Sequence, residues 1–131
     1  MTLTLICGIP NAGKTTYSEK FENVIHLDDY TNREADITYS RCNEMVVQSE
    51  SDVCVEGVYG TVKRRKDLLE AIGYKFDRKV CIWLNTPKDE CIKRENRGRP
   101  DALVIVHSKR MVPPTKDEGW DEIIIEGGSK R

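Results

Sequence analysis

The sequence has no long hydrophobic run and no excess of charge of one sign. No stretch reaches the roughly 20 apolar residues that a membrane-spanning helix needs, and the N-terminal residues lack the basic start of a signal peptide. We therefore expect a cytoplasmic protein without a membrane partner. The 21 basic and 22 acidic side chains nearly cancel, so binding to a nucleic acid would depend on a local patch of charge.

Cysteine pairs with redox or metal-binding spacing are also lacking. The chain has five cysteines, an odd number, and none of them forms a C-x-x-C pair. Cys7, Cys54 and Cys81 lie within apolar runs, where a free cysteine behaves as a small buried hydrophobic residue. The two histidines, His26 and His107, have no metal-ligand spacing either. We expect reduced thiols and no structural metal.

Five β-rich runs alternate with helical stretches along the 131 residues. The alternation is typical of parallel strands joined by crossover helices, and the length suits one domain. The runs are nearly continuous in apolar residues, as in strands that are covered on both faces. The sequence therefore predicts an α/β fold of three layers, α/β/α, with a small five-stranded parallel sheet. The predicted strands are residues 2–9, 23–27, 52–58, 79–84 and 122–126.

Helices are predicted between these strands from apolar spacing and capping signals. The predicted helices are residues 14–22, 36–49, 61–72 and a helix from residue 87 that ends near residue 97. Thr61 and Thr86 are the expected N-caps of the third and fourth helices. The second helix has only a loose apolar pattern, which includes Ile37 and Met45. The segment 102–111 fits both a strand and a helix, so its type stays open.

Residues 8–15 match the pattern G-x-x-x-x-G-K-[ST] completely. A β-rich run precedes the match and a helix follows it, which is the context of a phosphate-binding loop. In such a loop backbone N–H groups converge on phosphate oxygens, Lys14 reaches the β and γ phosphates, and Thr15 can bind Mg²⁺. The alternative is a tight turn that carries these residues by chance. The predicted nucleotide-binding residues of the loop are Gly8, Asn11, Ala12, Gly13, Lys14, Thr15 and Thr16.

The second and third predicted strands each end in acidic residues. Asp28 and Asp29 follow the second strand, at the sheet edge where open α/β sheets bind ligands. A carboxylate there could accept the proton of an attacking hydroxyl, so both are candidate substrate-binding residues. Alternatively, the pair caps the following segment. Glu56 ends the third strand, where it is either a Mg²⁺ ligand or a turn residue.

The segment 93–100, KRENRGRP, concentrates arginines around a glycine after the fourth strand. We call it the lid segment. If it closes over a nucleotide, Arg94 and Arg97 would neutralise charge on the transferred phosphoryl group. The alternative is a solvated helix face in which acidic neighbours pair with the arginines. A second basic run, residues 63–66, is predicted to be solvated surface or a contact for a nucleic-acid backbone.

Five segments follow one another at intervals that resemble those of polynucleotide 5′-hydroxyl kinases and related small AAA-type members of the P-loop kinases. They are GIPNAGKTT, HLDDY, VEGVYGTVKRR, WLNTPKDECIKRENRGRP and PPTKDEGWDEIII. The resemblance covers nearly the whole chain. It implies a P-loop kinase domain with a short lid over residues 1–126, followed by a tail at 127–131 that we expect to be flexible.

The resemblance also implies roles for single residues. Lys14 and Thr15 would bind the phosphates of ATP and Mg²⁺, the two cofactors of such kinases. Asp28 would activate the acceptor hydroxyl, and Arg97 would be the catalytic arginine of the lid segment. Apart from the resemblance, we expect Arg94 of the same segment to contact the nucleotide.

The reaction implied by the resemblance is transfer of the γ-phosphate of ATP to the 5′-hydroxyl of DNA or RNA. A phage member of the family holds the acceptor phosphate with an arginine; this chain has Thr31 at that position, and Arg33 is the nearest substitute. Two alternatives remain open at this point. One is a P-loop kinase of a nucleoside, nucleotide or other small hydroxyl compound, and the other is a nucleotide-binding regulatory protein without transfer activity.

Overall fold

The computed structural model describes residues 1–127, which contain five β-strands. They are β1 (Thr2–Cys7), β2 (Val24–His26), β3 (Val53–Glu56), β4 (Arg78–Leu84) and β5 (Glu122–Glu126). All neighbouring strands are parallel, and their order across the sheet is β2-β3-β1-β4-β5. The α/β class and the five-stranded parallel sheet are confirmed. The predicted tail, apart from Gly127, lies outside the described residues.

Five α-helices lie within the described residues. They are α1 (Lys14–Ser18), α2 (Ala35–Gln48), α3 (Val62–Ile72), α4 (Lys88–Lys93) and α5 (Asp101–Arg110). Short 3₁₀ helices lie at Leu27–Tyr30, Gly73–Lys75 and Lys116–Glu118. The segment whose type was open is therefore a helix, α5. None of the helices in residues 1–127 is long and apolar enough to cross a membrane.

The helices cover both faces of the sheet, which confirms the predicted three layers. Helices α2 and α3 pack on one face through residues such as Val46 and Leu68. Helices α1, α4 and α5 lie on the other face, where Cys91 and Val104 are buried. Strand β1 lies between the two cores. All five cysteines are buried as free thiols, as expected for small hydrophobic residues.

Helix α1 is shorter than predicted, because it ends at Ser18 instead of residue 22. The N–H groups of Glu19, Lys20 and Phe21 donate to carbonyls three residues earlier. These tighter bonds end the α-helix in turns of 3₁₀ type. The chain needs this tightening because strand β2 begins only a few residues later, at Val24.

The predicted apolar face of α2 is partly correct, and its bounds are correct to one residue. Of the predicted positions, Val46 is buried and Tyr39 packs against the core, whereas Ile37 and Met45 are exposed. The other buried residues of α2, Thr38 and Cys42, precede Val46 at intervals of four, as a helix face requires. Because these two are small or polar, an apolar pattern did not reveal them.

One predicted N-cap is confirmed and the other is wrong. The side-chain oxygen of Thr61 accepts a hydrogen bond from the N–H of Arg64 at the start of α3. Pro87, not Thr86, is the residue that precedes α4. The Thr86 hydroxyl instead donates to the carbonyl of Ala12 at 2.8 Å. Thr86 thus ties the loop after β4 to the loop after β1.

The basic run at residues 63–66 is not uniformly solvated, because Arg65 is completely buried. Its guanidinium donates to both carboxylate oxygens of Glu118, at 2.8 and 3.0 Å, and to the carbonyl of Tyr59 at 2.9 Å. Trp120 also donates to Glu118, at 3.0 Å. Burial raises the pKa of Glu118, but the hydrogen bonds and charge of Arg65 outweigh it and lower the pKa. The pair joins α3 to the segment before β5.

Breaking this buried pair should destabilise the protein strongly. We expect Glu118→Gln to lower the free energy of unfolding by about 3–5 kcal/mol, because it leaves the Arg65 charge buried without its counter-charge. Urea unfolding followed by tryptophan fluorescence measures the change. The control is Lys63→Ala on the same helix, which removes an exposed pair with Asp67 that should contribute about 0–1 kcal/mol. Equal losses in the two variants would contradict the prediction.

Candidate active site

The C-terminal ends of β1, β2 and β3 meet at one edge of the sheet, and the candidate site residues gather there. In the parallel register Ile6 of β1 lies beside Glu56 of β3, and Glu56 lies beside His26 of β2. The P-loop (residues 8–15) follows β1, and the turn Leu27–Tyr30 follows β2. These loops and the lid segment line a cleft of about 970 Å³.

The P-loop has a conformation that requires residues tolerant of positive φ. Gly13 has a φ of 102° and Asn11 a φ of 68°, both in the region that favours glycine and, less strongly, asparagine. A side chain at Gly8 would approach the carbonyl oxygen of Leu84 to 3.0 Å. These constraints hold the loop in a curve in which backbone N–H groups can converge on an anion.

Lys14 is folded into the concave side of the P-loop. Its Nζ donates to the carbonyl oxygens of Gly8 and Ile9, both at 2.9 Å, and the residue is only 8% exposed. Burial lowers the pKa of Lys14, while the charges of Glu56 and Asp28 oppose this shift. Since these two hydrogen-bond partners are neutral carbonyls, a phosphate in the cleft would be a stronger partner.

Thr15, Glu56 and His26 form a chain of polar contacts across the ends of three neighbouring segments. The Thr15 hydroxyl donates to Oε1 of Glu56 at 3.4 Å, and Nδ1 of His26 lies 2.9 Å from Oε2 of Glu56. Because an ionised carboxylate only accepts hydrogen bonds, Nδ1 of His26 is the donor. Glu56 is nearly buried. Its carboxylate is therefore fixed from one side by His26 and faces Thr15 with the other.

Of the two predicted aspartates, Asp28 lines the cleft and Asp29 does not. Asp28 lies on the exposed turn after β2 and lines the cleft. Asp29 is also exposed but is not among the cleft-lining residues, and neither is Arg33. The turn is fixed because the Thr31 hydroxyl donates to the carbonyl of Asp28 at 2.7 Å. The structure thus brings Asp28, but not Asp29 or Arg33, to the cleft.

The lid segment lies along the opposite wall of the cleft. Arg94 and Arg97 line it, and Nη1 of Arg94 donates to the carbonyl of Asn11 at 3.3 Å. Gly8 alone among the predicted P-loop residues is not a lining residue; its carbonyl accepts a hydrogen bond from Lys14. The predicted site residues that line the cleft are Asn11, Ala12, Gly13, Lys14, Thr15, Thr16, Asp28, Glu56, Arg94 and Arg97.

Comparisons with known proteins show which solved structures share this fold. No protein-family model and no curated protein matches the sequence. Among solved structures, a gluconokinase from Sinorhizobium meliloti 1021 superimposes with a TM-score of 0.75 at 13% identity, over 99% of this chain and 84% of that protein. A shikimate kinase from Acinetobacter baumannii in complex with shikimate gives a TM-score of 0.58 at 15% identity, over 98% and 84% of the two chains.

A third similar structure contains a nucleotide analogue. Kti12 from Chaetomium thermophilum in complex with ADP-AlF3 gives a TM-score of 0.68 at 11% identity, over 98% of this chain and 90% of that one. The chain has the P-loop kinase fold. At these identities the likeness concerns the fold alone, and the polynucleotide kinase family is not shown.

Two histidines at this site were not predicted from the sequence. His107 lines the cleft, together with Arg99 of the lid segment, and His26 contacts Glu56. For His107 a signal was available, since Leu103 and His107 lie four residues apart on α5 and both face the cleft. Burial, together with the charge of Lys14, lowers the pKa of His107. His26 had no such signal, because its contact depends on the register of β2 and β3.

A pH-dependent contribution to stability is expected from Glu95 in the lid segment. Hydrogen bonds from Arg99 and Asn11 lower the pKa of Glu95 from 4.5 to about 2. A carboxylate with a lowered pKa stabilises the folded protein above its unfolded-state pKa, and this contribution is lost as pH falls toward the folded value. The stability difference between wild type and Glu95→Gln should therefore be constant above pH 4.5 and shrink toward pH 2.

Urea unfolding at a series of pH values measures this difference. The matched control is Asp89→Asn on helix α4, since Asp89 is exposed and makes no side-chain hydrogen bond or ion pair to the described residues. Because Asp89 lies in the first turn of α4, its loss should cost no more than about 0.3–1 kcal/mol, which is what a carboxylate gains at a helix N-terminus. A Glu95→Gln difference that does not change with pH would contradict the assignment.

Proposed function

We propose that this protein is an ATP- and Mg²⁺-dependent kinase that transfers the γ-phosphoryl group of ATP to a hydroxyl of a small molecule. The observation that carries the proposal is the convergence of Lys14, Thr15, Asp28, Glu56 and Arg97 in one cleft. Phosphoryl transfer depends mainly on positioning and charge stabilisation. These residues provide a phosphate-binding cation, two metal-binding oxygens, a base and a second cation.

The P-loop is the part of the cleft that fits the phosphates of ATP. Its backbone curve depends on the positive φ angles of Asn11 and Gly13, and Lys14 points its ammonium group into the curve. This combination of N–H donors and one lysine binds phosphate in many nucleotide-binding proteins. Thr16 and Arg94 line the cleft on either side of it.

Thr15 and Glu56 are the residues that would hold Mg²⁺. This ion prefers oxygen ligands, keeps several waters and takes others from phosphates, so few protein ligands suffice. Two protein oxygens fit that requirement, whereas no cluster of three or more His, Cys, Asp or Glu in residues 1–127 forms a site made of protein alone. When bound, Mg²⁺ would neutralise charge on the β and γ phosphates. His26 keeps the Glu56 carboxylate in position.

Asp28 is the residue proposed to accept the proton of the acceptor hydroxyl. It faces the cleft from the end of β2, on the side of the P-loop where Glu56 also lies. A carboxylate can act as a base when the acceptor hydroxyl is positioned against it. Arg97 lies in the lid segment and would stabilise the charge that develops on the transferred group.

The small-molecule acceptor is favoured by two observations. The similar structures include a gluconokinase and a shikimate kinase in complex with shikimate. In addition, three members of the basic run that was a candidate nucleic-acid contact pair with carboxylates of this chain. Arg65 is buried against Glu118, Arg64 pairs with Asp36, and Lys63 pairs with Asp67. A backbone-binding patch of free cations is therefore not formed by these three residues.

A 5′-hydroxyl of DNA or RNA is the second candidate acceptor. Asp28 lies on an exposed turn at the cleft, so the acceptor side is open enough for the end of a polymer. Arg99 also lines the cleft, but its guanidinium is bound to Glu95 and Asn11. This candidate differs from the first only in the size of the acceptor, and one experiment separates the two.

The experiment is transfer of labelled γ-phosphate from ATP, with Mg²⁺, to a panel of acceptors. The panel contains nucleosides, nucleotides, sugar acids and other small hydroxy acids, and DNA and RNA oligonucleotides with 5′-hydroxyl ends. We expect label on a small compound and none with Lys14→Ala. Label on oligonucleotides alone would establish the second candidate, and ATP binding without any transfer would favour a regulatory nucleotide-binding protein.

The base is tested by comparing the two neighbouring aspartates. Asp28→Asn should lower kcat by about 10²–10⁴-fold, because it removes general base catalysis, while the Kd for ATP stays nearly unchanged. Asp29→Asn is the matched comparison, since Asp29 carries the same charge on the same turn without lining the cleft. Kinetics and ATP titration of both variants decide the assignment. If Asp29→Asn lost turnover and Asp28→Asn kept it, Asp29 would be the base instead of Asp28.

A further inference from the structure

Asn11 occupies a position in the P-loop that glycine would fill with less strain. Its φ of 68° lies in the left-handed region, which glycine enters freely and other residues enter at a cost. Asparagine is among the few residues that tolerate this conformation. The backbone alone therefore does not explain this side chain, and its contacts must be considered.

The Asn11 side chain reaches across to the lid segment and the helix before it. Its amide nitrogen donates to the carbonyl of Cys91 at 3.1 Å and to Oε1 of Glu95 at 2.9 Å. Its amide oxygen accepts from Nη2 of Arg99 at 2.9 Å. The backbone carbonyl of the same residue accepts from Arg94. One P-loop residue thus binds four residues of α4 and the lid segment.

Glu95 organises the lid segment from inside its own turn. Its carboxylate accepts from the backbone N–H of Arg97 at 2.9 Å and of Arg99 at 3.2 Å. It also accepts from the guanidinium of Arg99 at 3.2 Å. Gly98, with a φ of 73°, allows the chain to bend between these two donors. The hydrogen bonds keep the pKa of Glu95 at about 2, so the carboxylate stays ionised at neutral pH.

We propose that Asn11 and Glu95 form a latch that positions the turn carrying Arg97 at the cleft beside the P-loop. Asn11 and Glu95 are positioning residues, because they act through Arg97 and the lid segment. The inference rests on the proposed function, since it assigns Arg97 a place in phosphoryl transfer. Its physical basis is the set of hydrogen bonds that joins the P-loop to the lid segment.

The latch should affect kcat and the KM for ATP differently. Phosphate binding by the P-loop backbone and Lys14 does not require Arg97 to be fixed, and Arg94 is held by the backbone carbonyl of Asn11, which any residue at position 11 retains. Stabilisation of the transition state by Arg97 does require this arginine to be fixed, because a displacement of roughly 1 Å can lower a rate by about 100-fold. Loosening the latch should therefore lower kcat and leave the KM for ATP nearly unchanged.

Asn11→Gly is the variant that tests this most directly. Glycine adopts the same backbone conformation without strain, so the P-loop is kept while all three side-chain hydrogen bonds are removed. We expect kcat to fall by about ten-fold and the KM for ATP to change by less than about two-fold. An unchanged kcat, or a rise in the KM for ATP as the main effect, would overturn the latch.

A second variant tests whether the two residues act together. Glu95→Gln keeps the size of the side chain but replaces an acceptor-only oxygen by an amide nitrogen facing N–H donors. The double variant with Asn11→Gly should lose less than the product of the two single losses, because both break one network. Independent losses would overturn the proposed cooperation. Asp89→Asn on α4 serves as the control for a lost negative charge nearby.

The position of the lid segment is also measurable without catalysis, which separates this inference from the proposed function. In the lid segment trypsin cleaves after Lys93, Arg94 and Arg97, whereas the bond between Arg99 and Pro100 resists it. Mass spectrometry of the fragments 1–97 and 98–131 gives the cleavage rate, with a non-hydrolysable ATP analogue present or absent. We expect several-fold faster cleavage in Asn11→Gly and Glu95→Gln than in wild type or Asp89→Asn. Equal rates in all four proteins would overturn the latch even if the protein proves to be a kinase.

Discussion

The hydrogen bonding of β1 to both of its neighbours is the constraint from which the site follows. Because β3 and β4 pair with it in parallel, the loops that leave these strands emerge at the same edge. The pairing continues past the strand ends, where the N–H of Gly57 donates to Ile6 and the N–H of Gly8 donates to Val58. The start of the P-loop is therefore fixed against the residues that follow Glu56. The contact between Thr15 and Glu56 is a consequence of this register.

The buried pair of Arg65 and Glu118 fixes the segment that leads into strand β5 at the sheet edge. Strand β5 must return to pair with β4 after a segment that contains two adjacent prolines. Glu118 lies in the short 3₁₀ helix of that segment, where a capping box with Thr115 holds it, and Trp120 is buried beside it. A buried ion pair adds little net stability when complete, but its geometry is demanding. Its main effect is to define one path for the chain between α5 and β5.

The sequence predicted those parts of the site that depend on local pattern. The P-loop and the acidic ends of β2 and β3 lie where a strand ends and a loop begins, and the arginines of the lid segment follow helix α4. It did not reveal contacts between residues far apart in the chain. Arg65 was read as part of a charged surface because its partner Glu118 is 53 residues away. Asn11 and Glu95 are separated by 84 residues, and neither periodicity nor capping signals report such a pair.

The distribution of side-chain contacts suggests why the P-loop carries asparagine at a position that suits glycine. A short segment between two helices has few apolar residues with which to pack, and Arg94, Asn96, Arg97 and Gly98 are all exposed. Such a segment gains little from burial, so its conformation must be held by hydrogen bonds. The P-loop is the nearest rigid element, because sheet pairing and the contact with Thr86 already fix it. An asparagine there uses that rigidity to order the lid segment, and the strain of its backbone is offset by the bonds it makes.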